Sequence, residues 1–156
     1  MQNIYNYEPT DGNEYADPTC YYEIITACND YFDKMSEYQQ KIGSSMSETA
    51  AADFPKLVSS ALRIKVWAYY TLGRIYGKAI YFDDALEEIK DLSDVKTFTP
   101  LNSMHEVADK CIEMLDNGIT LANGNHFAAD LEMDWPAWID PETQNTAYDY
   151  WNYLTP

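Results

Sequence analysis

Basic residues are scarce in this chain. Lys and Arg total 10 against 26 Asp and Glu, a formal net charge of -16 over 156 residues. Such a chain repels phosphate backbones and anionic lipid surfaces, which argues against nucleic-acid binding and favours a neutral ligand. Histidine is scarcer still, with only His105 and His126. There is no HExxH, no GxSxG, no phosphate-binding glycine loop and no cysteine pair at metal spacing. The sequence therefore names no catalytic constellation, and the expectation is a protein that is not an enzyme and takes no cofactor. No apolar run approaches the roughly 18 residues that a bilayer-spanning helix needs. Met1 to Tyr7 also lack the basic start, apolar stretch and cleavage site of a secretion signal, so an exported precursor would have lost one.

Cysteine is limited to Cys20, Cys28 and Cys111, an odd number, and no disulfide framework is expected. Cys28 and Cys111 fall on apolar stripes, where a free thiol acts as a small hydrophobe. The run Asp11 to Tyr22 begins like a calcium loop and fails as one. Tyr15 stands at an Asp/Asn position, Ala16 at the Gly position and Tyr22 at the twelfth position, where Glu is needed. The pairs Asp83-Asp84 and Glu87-Glu88 read as a solvated acidic face.

What is present is helical periodicity. Residues 1–17 form an irregular leader, after which Asp17-Pro18 opens a helix with Tyr21, Ile24, Cys28, Tyr31, Met35, Tyr38 and Ile42 as its stripe, ending at Gly43. Ser44 to Ala52 reads as a loop or short helix, and Asp53 with Pro55 as the next start. The helix that follows, through Tyr76, has two apolar faces. Ala61, Ile64, Ala68, Leu72 and Ile75 form one; Leu62, Val66, Tyr69, Gly73 and Tyr76 form the other. Gly73 costs about 1 kcal/mol relative to Ala in a helix, which predicts a close neighbour there, and Gly77 supplies a left-handed stop. Residues 78–102 connect, with a short helix expected over Ala85 to Lys90. Ser103 and Glu106 then form a capping box for a helix with stripe Met104, Val107, Cys111, Leu115 and Ile119, ending near Asn123-Gly124. His105, in its first turn, reads as a surface residue. Tyr21, Tyr31, Trp67, Tyr69 and Tyr76 are expected in the core.

The segment Ile64 to Tyr81 resembles the signature helix of the SusD/RagB-like surface glycan-binding proteins, written L-R-A-x-x-Y-x-x-L-x-x-x-Y-G. Ile64, Tyr69, Leu72 and Tyr76-Gly77 match in kind, while Lys65 replaces the usual Arg and Ile80 the frequent Pro. Tyr22 to Asn29 resembles the family's preceding helix, and Ser103 to Ile119 a later one. The resemblance implies an all-α fold of tetratricopeptide-like stacked helix pairs with long irregular loops. It also implies an N-terminal portion of a longer, lipid-anchored protein on the outer-membrane surface, with 18–124 as helical core and 125–156 as an aromatic-rich loop region. The implied role is capture of oligosaccharide or polysaccharide for a SusC-like TonB-dependent transporter, without cleavage.

Aromatics make up 15% of the chain and include 14 tyrosines. Sugar rings stack their C–H faces on aromatic rings, while Asn, Asp and Tyr hydroxyls bond their hydroxyl groups. Trp135 and Trp138 beside Pro136, then Tyr148, Tyr150 and Trp151, with Tyr7 and Tyr15 in the leader, are the candidate glycan contacts. Two roles stay open for the loop tryptophans: touching ligand, or covering helices. The alternative to a glycan-binding protein is a helical-repeat module that docks on another protein through aromatic anchors.

Overall fold

A computed structural model of the chain describes residues 17–83 and 98–131. Three α-helices carry most of these residues: α1 (Thr19–Ile42), α2 (Glu48–Tyr76) and α3 (Met104–Asn117). Two small antiparallel strand pairs accompany them, one between α2 and α3 and one after α3. Strand β1 (Ala79–Tyr81) pairs with β2 (Thr99–Leu101), placing Ala79 opposite Leu101, and β3 (Ile119–Thr120) pairs with β4 (His126–Phe127). The expected helix at Ala85 to Lys90 lies outside the described residues.

Helix α1 starts at Thr19 with Pro18 as its N-cap, one position later than the Asp-Pro reading, and the Asp17 carboxylate accepts from both the backbone N–H and the hydroxyl of Thr19. Its buried face is Ile25, Cys28, Asn29, Phe32, Met35 and Ser36. That is about one position round from the expected stripe, so Tyr21, Ile24 and Tyr31 flank the core and Tyr38 is exposed. The shift has a polar cause. Ser36 accepts a hydrogen bond from the Asn123 N–H at 2.9 Å, and Gln39 receives the side-chain amides of Asn123 and Asn125 at 2.7 Å each. These bonds turn a partly polar edge of α1 toward the loop between β3 and β4.

Helix α2 begins earlier than expected. Ser47 is its N-cap, accepting from the Ala50 N–H at 3.2 Å, so Glu48 to Ala52, expected as loop or short helix, already belong to α2. Pro55 lies inside it. A proline there removes the N–H that would bond the Ala51 carbonyl. Both Ala51 and Pro55 are exposed, so that carbonyl is free to meet water. The helix stops at Gly77, whose φ of 71° is left-handed and whose N–H donates to the Gly73 carbonyl.

The two-faced reading of α2 holds in its middle and falls short. From 58 to 66 every side chain except Ile64 is buried. One side meets α3, where the Cys111 thiol lies 3.7 Å from the Val66 carbonyl. Another meets α1, with the Tyr21 and Trp67 rings 6.0 Å apart. A third side is covered by the segment after β4, where the Asp130 N–H donates to Ser59 at 2.7 Å. Trp67 is not core; it keeps 36% of its surface, as the outward edge of the α1 contact. Ile75, at 54%, also leaves its expected stripe and lies at the surface.

The capping box of α3 is present: Ser103 accepts from the Glu106 N–H at 3.2 Å and the Glu106 carboxylate accepts from the Asn102 N–H at 2.8 Å. The helix ends at Asn117, well before Asn123-Gly124. Gly118, at φ 63°, turns the chain into β3, and the returning backbone of Phe127 and Ala128 occupies the space a side chain would need. Ile119 is therefore strand, not helix.

Gly73 sits beneath α3, where a Cβ would lie 2.8 Å from both Met104 Sδ and Val107 Cγ1. The Met104 end can yield, whereas Val107 is fully buried. Ala at 73 gains about 1 kcal/mol of helix propensity and meets an overpacking penalty of about 1–3 kcal/mol. Gly73→Ala is expected to lower stability by about 1 kcal/mol in urea unfolding, and Gly73→Val by more; equal or greater stability for both would disprove the close approach.

Candidate functional site

None of the sequence-derived contact residues can be placed. Trp135, Trp138, Tyr148, Tyr150, Trp151, Tyr7 and Tyr15 all lie outside the described residues. What the fold brings together instead is a polar cleft built around Lys65.

Positioning begins at Tyr69, which is 1% exposed. Its hydroxyl donates to the Phe82 carbonyl at 3.2 Å and accepts from the Phe82 N–H at 3.1 Å, so both backbone groups of Phe82 are clamped. The Asn29 amide adds a second bond to the same carbonyl at 3.3 Å. Phe82 is itself buried, with the Tyr22 ring at 6.3 Å and the Phe98 ring at 5.7 Å. This clamp fixes the residue that follows, Asp83.

Asp83 accepts from the Lys65 ammonium at 2.6 Å, and both of its oxygens lie 2.7 Å from the Tyr81 hydroxyl. The Lys65 side chain is 3% exposed and that of Asp83 is 63% exposed. The ion pair therefore runs from the core to the surface. The Tyr81 ring lies under two cations, with Lys110 at 4.4 Å and Lys65 at 5.4 Å from its centre. Burial lowers the Lys65 ammonium, with Asp83 opposing in part. Burial also raises the Asp83 carboxyl, but the Lys65 charge and the Lys65 and Tyr81 hydrogen bonds outweigh it and hold the group below the usual carboxylate range. Tyr81 is pushed up by burial and by its bond to Asp83, so its hydroxyl keeps its proton.

Around these groups lies a cleft of about 290 Å³. Asn29, Phe32 and Asp33 of α1, Leu62 and Lys65 of α2, Tyr81, Asp83, Met114 and the run 118–122 line it. The sequence marks Lys65 only as a departure from a motif arginine, and Asp83 as part of a solvated face. The available signal was position: Lys65 is four residues from both Ala61 and Tyr69, in the middle of an apolar face, where an ion needs a partner. Nothing local named Asp83 as that partner.

Elsewhere the surface carries Trp67, Tyr70 and Arg74 at helical spacing on one face of α2, all exposed, with the Arg74 guanidinium 5.8 Å from the Tyr70 ring centre. His105 is exposed, 3.5 Å from Asp109, as expected of a surface residue. His126 lies in β4, its Nδ1 3.1 Å from the Thr120 hydroxyl. Among the described residues no three or more His, Cys, Asp or Glu gather as a metal site, and no helix is long and apolar enough to cross a membrane. Compared with protein-family models, with curated proteins and with solved structures, the chain has no match.

The asymmetry of the ion pair sets the effect of removing either end. Lys65→Met leaves an exposed carboxylate and a filled core, so stability should stay within about 1 kcal/mol of wild type. Asp83→Ala strands a buried ammonium and should cost about 2–3 kcal/mol, although Asp83 is the more exposed residue. Because the folded Asp83 carboxyl titrates below its unfolded value, its contribution is present above the carboxylate range and is lost as pH falls through the folded value. The stability gap between wild type and Asp83→Asn should accordingly close on acidification; a gap constant with pH would refute the pairing.

Cys28 and Cys111 are buried, and burial raises both thiols to about 11; Cys20 is exposed. A thiol-reactive dye at neutral pH should label one cysteine, Cys20, in the folded chain and all three after unfolding. Rapid labelling of Cys111 in the folded chain would contradict the packing of α3 on α2.

Proposed function

We propose that this chain is the N-terminal helical portion of a non-catalytic glycan-binding protein of the SusD/RagB kind, acting at the bacterial outer-membrane surface with a SusC-like TonB-dependent transporter. The observation that supports this most is helix α2. Three of its motif positions have the packing the motif would require: Tyr69 and Leu72 are buried, and Gly77 makes the left-handed stop after Tyr76. A helix enclosed on several sides is also what a tetratricopeptide-like stack of helix pairs demands, and in this reading further helices continue the stack. The net charge of -16 favours neutral polysaccharide over anionic ligands.

Trp135 and Trp138 are the assigned stacking residues in this reading, with Tyr148, Tyr150, Trp151, Tyr7 and Tyr15 as further contacts. An aromatic platform flanked by Asp and Asn is the chemistry a neutral glycan needs. A second reading, a helical module that docks on a protein, is favoured by the exposed row Trp67, Tyr70 and Arg74 on α2. Aromatic and Arg side chains are the usual anchors of protein interfaces.

A screen of the folded chain against neutral plant and host polysaccharides separates the readings. The first expects retention that falls at least tenfold in a Trp135→Ala/Trp138→Ala variant of unchanged helicity. Indifference of the folded wild type to every polysaccharide would overturn it and leave the docking module.

A further inference from the structure

The exposed row on α2 is one end of a longer stripe. Ser59, Arg63, Trp67, Tyr70 and Arg74 follow one another at three- and four-residue spacing, so they share one side of the helix. Ser59 and Arg63 are buried, at 1% and 4% exposure, whereas Trp67, Tyr70 and Arg74 are exposed. The segment after β4 lies over the buried end. The Phe127 ring is 5.4 Å from Phe54, the Asp130 N–H donates to Ser59 at 2.7 Å, and the Asp130 charge acts on Arg63 one turn further on. From Phe127 to Asp130 the chain therefore climbs α2 toward its C-terminal end.

That heading leads to the exposed end. Trp67 and Tyr70 lie about 12 and 17 Å beyond Ser59 along the helix axis, and five residues of extended chain after Asp130 span up to about 17 Å, which brings Trp135 within reach of both. The charges are complementary. Beyond Asp53, α2 carries Lys56, Arg63, Lys65 and Arg74 and no acid, while residues 132–156 carry Glu132, Asp134, Asp140, Glu142 and Asp149 and neither Lys nor Arg. The Arg74 guanidinium lies 5.8 Å from the Tyr70 ring centre, so ring and cation present one surface. Other occupants fit this surface less well. A second copy would bring a net charge of -16 against another of -16. The leader arrives elsewhere, since Asp17 and Cys20 lie close enough to Tyr76 to act on its hydroxyl, and Tyr76, two residues past Arg74, points to the other side of α2.

We propose that residues 132–140 of this same chain dock on the exposed end of the stripe, with the Trp135 ring against Trp67 and Tyr70 and the Asp134 carboxylate on the Arg74 guanidinium. The contact takes up the row that a protein-docking module would use. It leaves the outer face of the Trp135 ring and the whole of Trp138 open, so it is compatible with the glycan-binding reading and does not depend on it.

The test is photo-crosslinking of the full chain with p-benzoylphenylalanine in place of Tyr70, an exposed position, with the product mapped by peptide mass spectrometry and helicity checked by circular dichroism. A monomeric product that joins position 70 to a peptide within 132–140 is expected. Arg74→Glu in the same background should lower its yield about threefold, the effect of one surface ion pair, and Arg74→Glu combined with Asp134→Arg should restore it. Capture of residues 1–16, a product of dimer size, or no more product than the denatured chain gives would overturn the proposal. A yield that Arg74→Glu leaves unchanged would overturn the pairing with Asp134. No sugar enters this experiment, so its failure and a failure to retain polysaccharide are separate results.

Discussion

The enclosure of α2 is the constraint from which the rest follows. A helix buried all round in its middle section must place every polar group it carries against a partner, and α2 carries Ser59, Ser60, Arg63 and Lys65 there. Ser59 and Lys65 each draw in another piece of chain. Ser59 fixes the segment at Asp130, Ser60 turns back on the Lys56 carbonyl at 2.7 Å, and Lys65 requires Asp83. An ammonium taken from water without a counter-charge would cost several kcal/mol. The chain beyond β1 is therefore held where Asp83 can reach, and Tyr69 and Asn29 hold it by the backbone of Phe82.

The same demand creates the cleft. Three helices of different length, one stopped early by Gly118, leave a space near the end of α3 that the short hairpins border without filling. Its polar lining is a by-product of pairing a buried cation with a surface carboxylate. Tyr81 joins the cluster twice, donating its hydroxyl to Asp83 and turning its ring to Lys65 and Lys110. Packing and polar recognition here use the same residues.

Much of the helical frame was legible because its signals are local. Asp17-Pro18, the Ser103/Glu106 capping box and Gly77 each act within one turn, through bonds between neighbours in sequence. Gly73 was legible as a close approach because a helix interior otherwise disfavours glycine. Pro55 misled because proline usually marks a helix start, whereas at this exposed position the freed Ala51 carbonyl can meet water and the helix tolerates it. The strands were not legible: two- and three-residue pairs such as Ile119–Thr120 have no periodicity to read. The expected stripe of α1 erred by one position because Ser36, Asn29 and Gln39 win bonds to residues more than fifty positions away.

By itself the sequence determined the helical class, the two-faced character of α2, the burial of Cys28 and Cys111, and an acidic surface, since each depends on spacing or composition alone. Only the tertiary structure decided that a third segment covers α2, that Trp67 stays at the surface, that Asp83 answers Lys65, and that a polar cleft opens beside them. The reason is physical. Capping and periodicity are settled by interactions a few residues apart, whereas the partner of a buried charge is set by which distant segment the packed helices leave within about 3 Å of it.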